Sequence, residues 1–159
     1  MIHKRPVRLP REDYLGQRTV SFDAVTAGRS KLFLSADNVQ PLIGYLAEAA
    51  EASACVVPIY CFMPDHLHVM IKGLEDHSDA LAAFNKFKLR SGKWMHRNQL
   101  AGWQGDFYDH VMRYGDDWRH HATYIAMNPV RAGFVESFFD YPFLGSIGCD
   151  LQDVVLRLD

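Results

Sequence analysis

Cysteine is scarce in this 159-residue chain, and the three present, Cys55, Cys61 and Cys149, form no CxxC pair. A scattered, odd count excludes a disulfide framework and a thiolate zinc site, and points to a reduced cytosolic protein. No apolar run approaches the roughly 18–20 residues of a membrane-spanning helix. The basic opening Met1-Ile2-His3-Lys4-Arg5-Pro6 leads into no apolar stretch, so it does not read as a secretory signal. Internal repeats and low-complexity segments are lacking too. Strong positive charge is also missing: the net charge is −2 and the sequence pI ≈ 6.4, which counts against a uniformly basic nucleic-acid binder.

What is present is an ordinary globular composition, 48% hydrophobic and 23% charged, in a length that suits one core. The charges are unevenly placed. Lys4, Arg5, Arg8, Arg11 and Arg18 face only Glu12 and Asp13 in the first 18 residues. Lys86, Lys88, Arg90, Lys93 and Arg97 lie in a stretch with no acid between Asp79 and Asp106. A nearly neutral chain can thus carry a basic face, and Arg8, Arg11, Lys86, Lys88, Arg90, Lys93 and Arg97 are the candidate DNA contacts. The alternative for the 86–97 run is the solvated face of an amphipathic helix.

Residues 1–16 read as an extended basic arm punctuated by Pro6, Pro10 and Gly16. Residues 18–26 read as a strand. Leu42, Leu46 and Ala49 place a helix over 38–53, with Asp37 as its N-cap. Residues 54–63 and 66–72 read as a hairpin of two strands, with Pro58 marking an edge or a bulge. A long helix follows over 78–98, carrying Ala82, Phe84, Phe87 and Trp94. A strand near 106–113 precedes a helix capped by Asp116 and stopped by Pro129, with Gly133 ending a short turn. The order strand, helix, strand, strand, helix, strand, helix predicts an α+β fold. It is a ferredoxin-like split βαβ plait, an antiparallel sheet with helices on one face. The predicted organisation is an arm over 1–16, one domain over 17–146 and a tail over 147–159.

Two stretches carry candidate chemistry. In Met63-Pro64-Asp65-His66-Leu67-His68-Val69-Met70-Ile71, strand alternation puts His66 and His68 on one face and Leu67, Val69 and Ile71 on the other. Two imidazoles side by side form a preset bidentate metal site; the bland alternative is a solvated pair. In His120-His121-Ala122-Thr123-Tyr124-Ile125-Ala126-Met127-Asn128-Pro129-Val130, Tyr124 and Asn128 are four apart and share a helix face. Singly, Tyr124 reads as packing and Asn128 as a helix terminator. Together with the histidines they make two imidazoles, an amide oxygen and a phenol. That set suits phosphodiester transfer. A phenol is a weak nucleophile at neutral pH, and a divalent ion beside it offsets charge in the transition state. Mixed N and O ligands fit Mg²⁺ or Mn²⁺, the imidazoles tilting the choice toward Mn²⁺.

His120 and His121 lie one turn before the Tyr124 face and read either as solvated residues or as phosphate contacts and proton carriers. Tyr108, His110 and Tyr114 read as packing near a strand end, and Trp94 and Trp103 as core or rim rather than base-stacking groups.

The segments MPDHLH, FYDHVMR, YIAMNPVRAGFV and DYPF, in that order, resemble the REP-associated tyrosine transposases, part of the HUH single-strand transposases, U being a hydrophobic residue. The resemblance runs from about Arg8 to Ser146. It implies a ferredoxin-like sheet, a metal held by His66 and His68, and a nucleophile, Tyr124, that forms a 5′-phosphotyrosine. It also implies Asn128 as third metal ligand. The acidic pI and the short tail after Ser146 depart from the family pattern. The function implied is a metal-dependent transposase or endonuclease that cleaves and rejoins single-stranded or hairpin DNA, cytoplasmic and nucleoid-associated, with no membrane partner. Some HUH transposases exchange the tyrosine helix across a dimer, so a homodimer and a monomer both fit. Two rival readings are a non-catalytic DNA-hairpin binder that kept the fold, and a phosphodiesterase that uses water with Tyr124 structural.

Overall fold

Apolar residues at helical spacing build two long helices, and β-branched and aromatic runs build the strands between them. In the computed structural model, which describes residues 8–113 and 115–156, the order is β1 (Thr19–Thr26), α1 (Ala36–Ala52), β2 (Cys55–Met63), β3 (His66–Gly73), α2 (Ala80–Arg97) and β4 (Trp103–Val111). Then come α3 (Trp118–Ala126), α4 (Asn128–Arg131), β5 (Leu144–Ile147) and α5 (Leu151–Val154). Lys4, Arg5 and Tyr114 lie outside the described residues.

The strands form one sheet in the order β4-β1-β3-β2-β5, every pair antiparallel. The first four are the expected plait. β5, which the sequence reading did not include, adds a fifth strand beside β2, so β2 is not an edge. Its register shifts around Pro58 against both neighbours, the bulge that a residue without an N–H imposes on a central strand.

The expectation of helices on one face holds for α1 and α2. They cover the side to which Phe22, Leu67, Val69 and Ile71 point, all fully buried. Phe22 and Phe84 stack there at 4.3 Å, and Phe107 meets Phe84 edge-on at 4.8 Å. Each such ring contributes roughly 1.5–3 kcal/mol by leaving water. The opposite face is covered in part by the shorter elements: Ala122, Ile125 and Ala126 of α3 and Val154 of α5 pack with Ile59, Cys61, Met63 and Met70.

Several local expectations are corrected. Ser35, not Asp37, is the N-cap residue of α1, and Asp37 lies inside the first turn, where a carboxylate favours the helix dipole. Asp117, not Asp116, caps α3 by accepting from the Arg119 amide at 3.0 Å. Pro129 does not stop the helical path. It sits in the first turn of α4, where its missing N–H costs nothing, and the Arg131 amide still reaches the Met127 carbonyl at 2.8 Å. The described part of the arm is docked rather than extended: Arg11–Tyr14 forms a 3-10 turn, and the buried Tyr14 donates to Asp109 at 2.8 Å.

Candidate active site

Strand alternation on β3 has the predicted consequence. Leu67 and Val69 enter the α1–α2 core, and His66 and His68 stand half-buried on the other face, ring centroids 4.7 Å apart and nearly perpendicular. Register pairs His68 with Asp23 of β1 and Cys61 of β2, and His66 with Val25 and Met63.

Each imidazole is held by a carboxylate. His68 Nδ1 lies 2.6 Å from Asp23 Oδ1, and His66 Nδ1 lies 2.6 Å from Asp65 Oδ1. A carboxylate accepts, so each Nδ1 carries a proton, and in the neutral ring Nε2 keeps its lone pair. This is the outer-shell arrangement that fixes the tautomer of metal-binding histidines. Asp65 is itself fixed. Its carbonyl accepts from the Thr26 amide and hydroxyl, each at 3.0 Å, and Arg29 stands 3.4 Å from its carboxylate. Burial acts against its charge, but the His66 hydrogen bond and nearby cations outweigh it and lower its pKa. Burial keeps His66 below the ordinary imidazole range, which favours the neutral form a metal needs.

α3 brings the phenol to this face. Ala122, Ile125 and Ala126 anchor the helix, which leaves Tyr124 61% exposed. His121, one turn earlier, lies 3.0 Å by Nε2 from Ser21 Oγ of β1, two residues from Asp23. Its ring is near-parallel to that of Tyr124 at 6.4 Å. Burial holds His121 below the usual imidazole range against the pull of Asp23. Tyr124 and the histidine pair are thus linked to one region of the sheet through His121, Ser21 and Asp23.

Asn128 follows on the same path. Its Oδ1 accepts from Arg131 Nη2 at 2.7 Å, and its Nδ2 is buried without a hydrogen-bond partner among the described residues. By donor chemistry, His66, His68 and the Asn128 amide oxygen fit a divalent ion with open positions: two imidazoles oriented by their Nδ1 contacts and a neutral oxygen. Among the described residues no group of three or more His, Cys, Asp or Glu forms a metal cluster.

The predicted DNA contacts divide in two. Arg8 lies over the Phe107 ring at 3.7 Å and donates to the Phe107 carbonyl at 2.6 Å, Arg11 pairs with Asp79, and Arg90 pairs with Glu48 at 2.6 Å. Lys88 donates to the Gln104 carbonyl at 3.1 Å. These four are engaged within the fold. Lys86, Lys93 and Arg97 are exposed and carry no ion pair among the described residues. Lys93 and Arg97, with His96, Trp103 and Gln104, line a groove of ≈ 630 Å³ between α2 and the start of β4, on the α1–α2 side and away from the histidines.

Trp103 donates to Ser91 Oγ at 2.8 Å and packs on Phe33 and Phe87, so it is rim structure as expected. Tyr108 and His110 are corrected from packing to exposed positions. Register sets them beside Asp23 and Ser21 on the histidine face, Tyr108 41% exposed. Sequence reasoning missed Asp23, Asp65, Ser21 and Arg131. A carboxylate inside the apolar run Val20-Ser21-Phe22-Asp23-Ala24-Val25 was the available signal for the first, and adjacency to His66 for the second.

An antiparallel plait with a histidine pair on its open face and a tyrosine helix beside it is the arrangement that the resemblance to HUH transposases implied. No family model matches the chain. A REP-associated tyrosine transposase of Escherichia coli is 33% identical over 82 residues, a match covering 51% of this chain and 48% of that protein, about half of each. A protein of Haemophilus influenzae described in the same terms is 25% identical over 146 residues, covering 84% of this chain and 82% of its own length. Among solved structures, a REP-associated tyrosine transposase bound to a REP hairpin superposes with a TM-score of 0.71 at 25% identity, covering 89% of this chain and 82% of that one. The chain is homologous to REP-associated tyrosine transposases, as its motifs implied.

Proposed function

We propose that this protein cleaves and rejoins single-stranded or hairpin DNA through a covalent bond between Tyr124 and a 5′ phosphate. The observation that carries this reading is the pair of Nδ1–carboxylate bonds. They leave both Nε2 lone pairs free on the sheet face that the tyrosine helix overlies. Solvated histidines need no such orientation. The homologues' description as tyrosine transposases, and the hairpin bound by the structural neighbour, point to the same class of substrate.

His66, His68 and Asn128 would hold the metal ion, Mn²⁺ or Mg²⁺. When bound, such an ion polarises a phosphate oxygen and offsets charge developing in the transition state. The chain's own groups do the rest. The Tyr124 oxygen attacks phosphorus, and the bond from phosphorus to the 3′ oxygen breaks. The 5′ side stays on Tyr124, and the leaving oxygen takes a proton to become a 3′-hydroxyl. His121, one turn before Tyr124 with its ring 6.4 Å away and its pKa lowered by burial, would be the nearby imidazole to take the phenol proton through a water. A 3′-hydroxyl from another end reverses the step, so phosphodiester bonds are conserved and no energy source is needed. Lys86, Lys93 and Arg97 supply the exposed charge for backbone contacts outside the reacting phosphate.

The test is a denaturing gel of protein incubated with a REP hairpin carrying single-stranded flanks, with Mn²⁺ or with EDTA. A metal-dependent covalent adduct supports the reading. Cleavage without an adduct would transfer the chemistry to water, and hairpin binding without cleavage would leave a binding protein.

A further inference from the structure

Arg131 joins the two groups on which the tyrosine helix depends. Its guanidinium carbon lies 4.0 Å from the centre of the Tyr124 ring, a cation–π contact. Nη2 donates to the Tyr124 carbonyl at 2.9 Å and to Asn128 Oδ1 at 2.7 Å. One planar head therefore fixes the ring, the backbone and the amide of residues four apart on one helical path. Its charge also reaches Cys61, the strand neighbour of His68. Burial pushes that thiol up to about 12, and Arg131 pulls the other way.

The contact with Asn128 sets the amide's orientation. Oδ1 must face the guanidinium, which directs Nδ2 inward, where it is buried with no acceptor among the described residues. Leaving a buried amide unpaired is unfavourable, so the arrangement is retained against a penalty. The oxygen that Arg131 occupies is the one a divalent ion would need, and a guanidinium beside that oxygen repels such an ion.

We propose that Arg131 is a positioning residue with two opposed effects: it sets Tyr124 for attack and it competes with the metal ion for Asn128. The inference rests on the tyrosine-nucleophile reading. With Asn128 Oδ1 given over to an ion, the guanidinium N–H of Arg131 would remain beside the phenol ring, where a phosphate oxygen would be the acceptor that replaces the amide. A side chain that merely supports the helix would affect metal binding and chemistry in the same direction. Arg131 affects them in opposite directions.

The experiment compares wild type, Arg131→Met and Arg131→Lys in the full chain. Mn²⁺ binding is measured by calorimetry without DNA. Single-turnover adduct formation is measured on a REP hairpin with single-stranded flanks at saturating DNA. Arg131→Met binds Mn²⁺ several-fold more tightly and forms adduct roughly 10- to 100-fold more slowly. Arg131→Lys keeps the charge without the planar fork and falls between the two. Mn²⁺ affinity equal to or weaker than wild type in Arg131→Met overturns the proposal whatever the rate. So does an undiminished rate. Wild type that gives no adduct while still binding the hairpin removes the tyrosine-nucleophile reading itself, and this inference with it. A wild-type adduct with an equally fast Arg131→Met adduct removes only the inference.

Discussion

Asp23 Oδ1 lies 2.6 Å from His68 Nδ1, across the β1–β3 pairing, and that one contact orients a half-buried imidazole. The equivalent contact for His66 comes from its chain neighbour Asp65. Removing either carboxylate leaves the ring in place but frees its tautomer. Asp23→Asn and Asp65→Asn should each weaken Mn²⁺ binding about 10- to 100-fold, and His66→Ala or His68→Ala should abolish it with the fold retained. Calorimetric titration of Mn²⁺ checks both. Unchanged affinity in Asp23→Asn and Asp65→Asn would show that the carboxylates do not orient the pair.

The division among the basic residues gives a second expectation. Neutralising Lys86, Lys93 and Arg97 should flatten the salt dependence of hairpin binding, by roughly 0.7 of a log–log slope unit per lost contact on single strands. Neutralising Arg11 or Arg90 should leave the slope unchanged, since their charges are met by Asp79 and Glu48. An equal effect in both sets would mean that the internal pairs open on DNA binding.

The plait was legible in the sequence because its signals are local. Alternation in His66–Ile71 and helical spacing in 80–97 each depend on one segment alone. The histidine pair and the Tyr124–Asn128 spacing were legible for the same reason. Asp23 was not, because its role depends on which residue of β3 lies across from it, and strand register is set by the whole sheet. Arg131 was hidden similarly. Its partners are near in sequence, but only the continuation of the helical path past Pro129 brings its side chain back over Tyr124. Reading Pro129 as a stop removed that geometry. β5 carries too short an apolar run to stand out until β2 offers it an edge.

Gly73 ends the histidine strand against the docked arm. A Cβ there would meet the Gly16 carbonyl oxygen at 1.9 Å and Ser78 Cβ at 2.8 Å, and neither can give way without moving backbone or the start of α2. Gly73→Ala should cost about 1–3 kcal/mol, read as a lowered midpoint in urea unfolding. A stability within 0.5 kcal/mol of wild type, the range usual for surface changes, would mean that the arm does not hold this position in solution.

The cysteines give a reactivity test of the packing. Burial pushes Cys55 up to about 11 and Cys61 up to about 12, and both are enclosed, whereas Cys149 is exposed. Iodoacetamide at pH 8 should label Cys149 in the folded protein, and Cys55 and Cys61 only after unfolding. Peptide mass spectrometry reads the sites. Rapid labelling of Cys61 would show that the α3 face opens readily beside the histidines.

If Tyr124 becomes joined to DNA, replacing it with Phe removes the nucleophile and nothing else. The change removes one hydroxyl from a side chain already exposed, so the fold and hairpin binding should persist. The decisive measurement is mass spectrometry of trapped protein–DNA species from wild type and Tyr124→Phe, with Tyr108→Phe as the control on the same face. A phosphotyrosine is expected at Tyr124 in wild type and in Tyr108→Phe, and neither adduct nor cleavage in Tyr124→Phe. Undiminished cleavage by Tyr124→Phe, or a phosphotyrosine at any other residue, would contradict it.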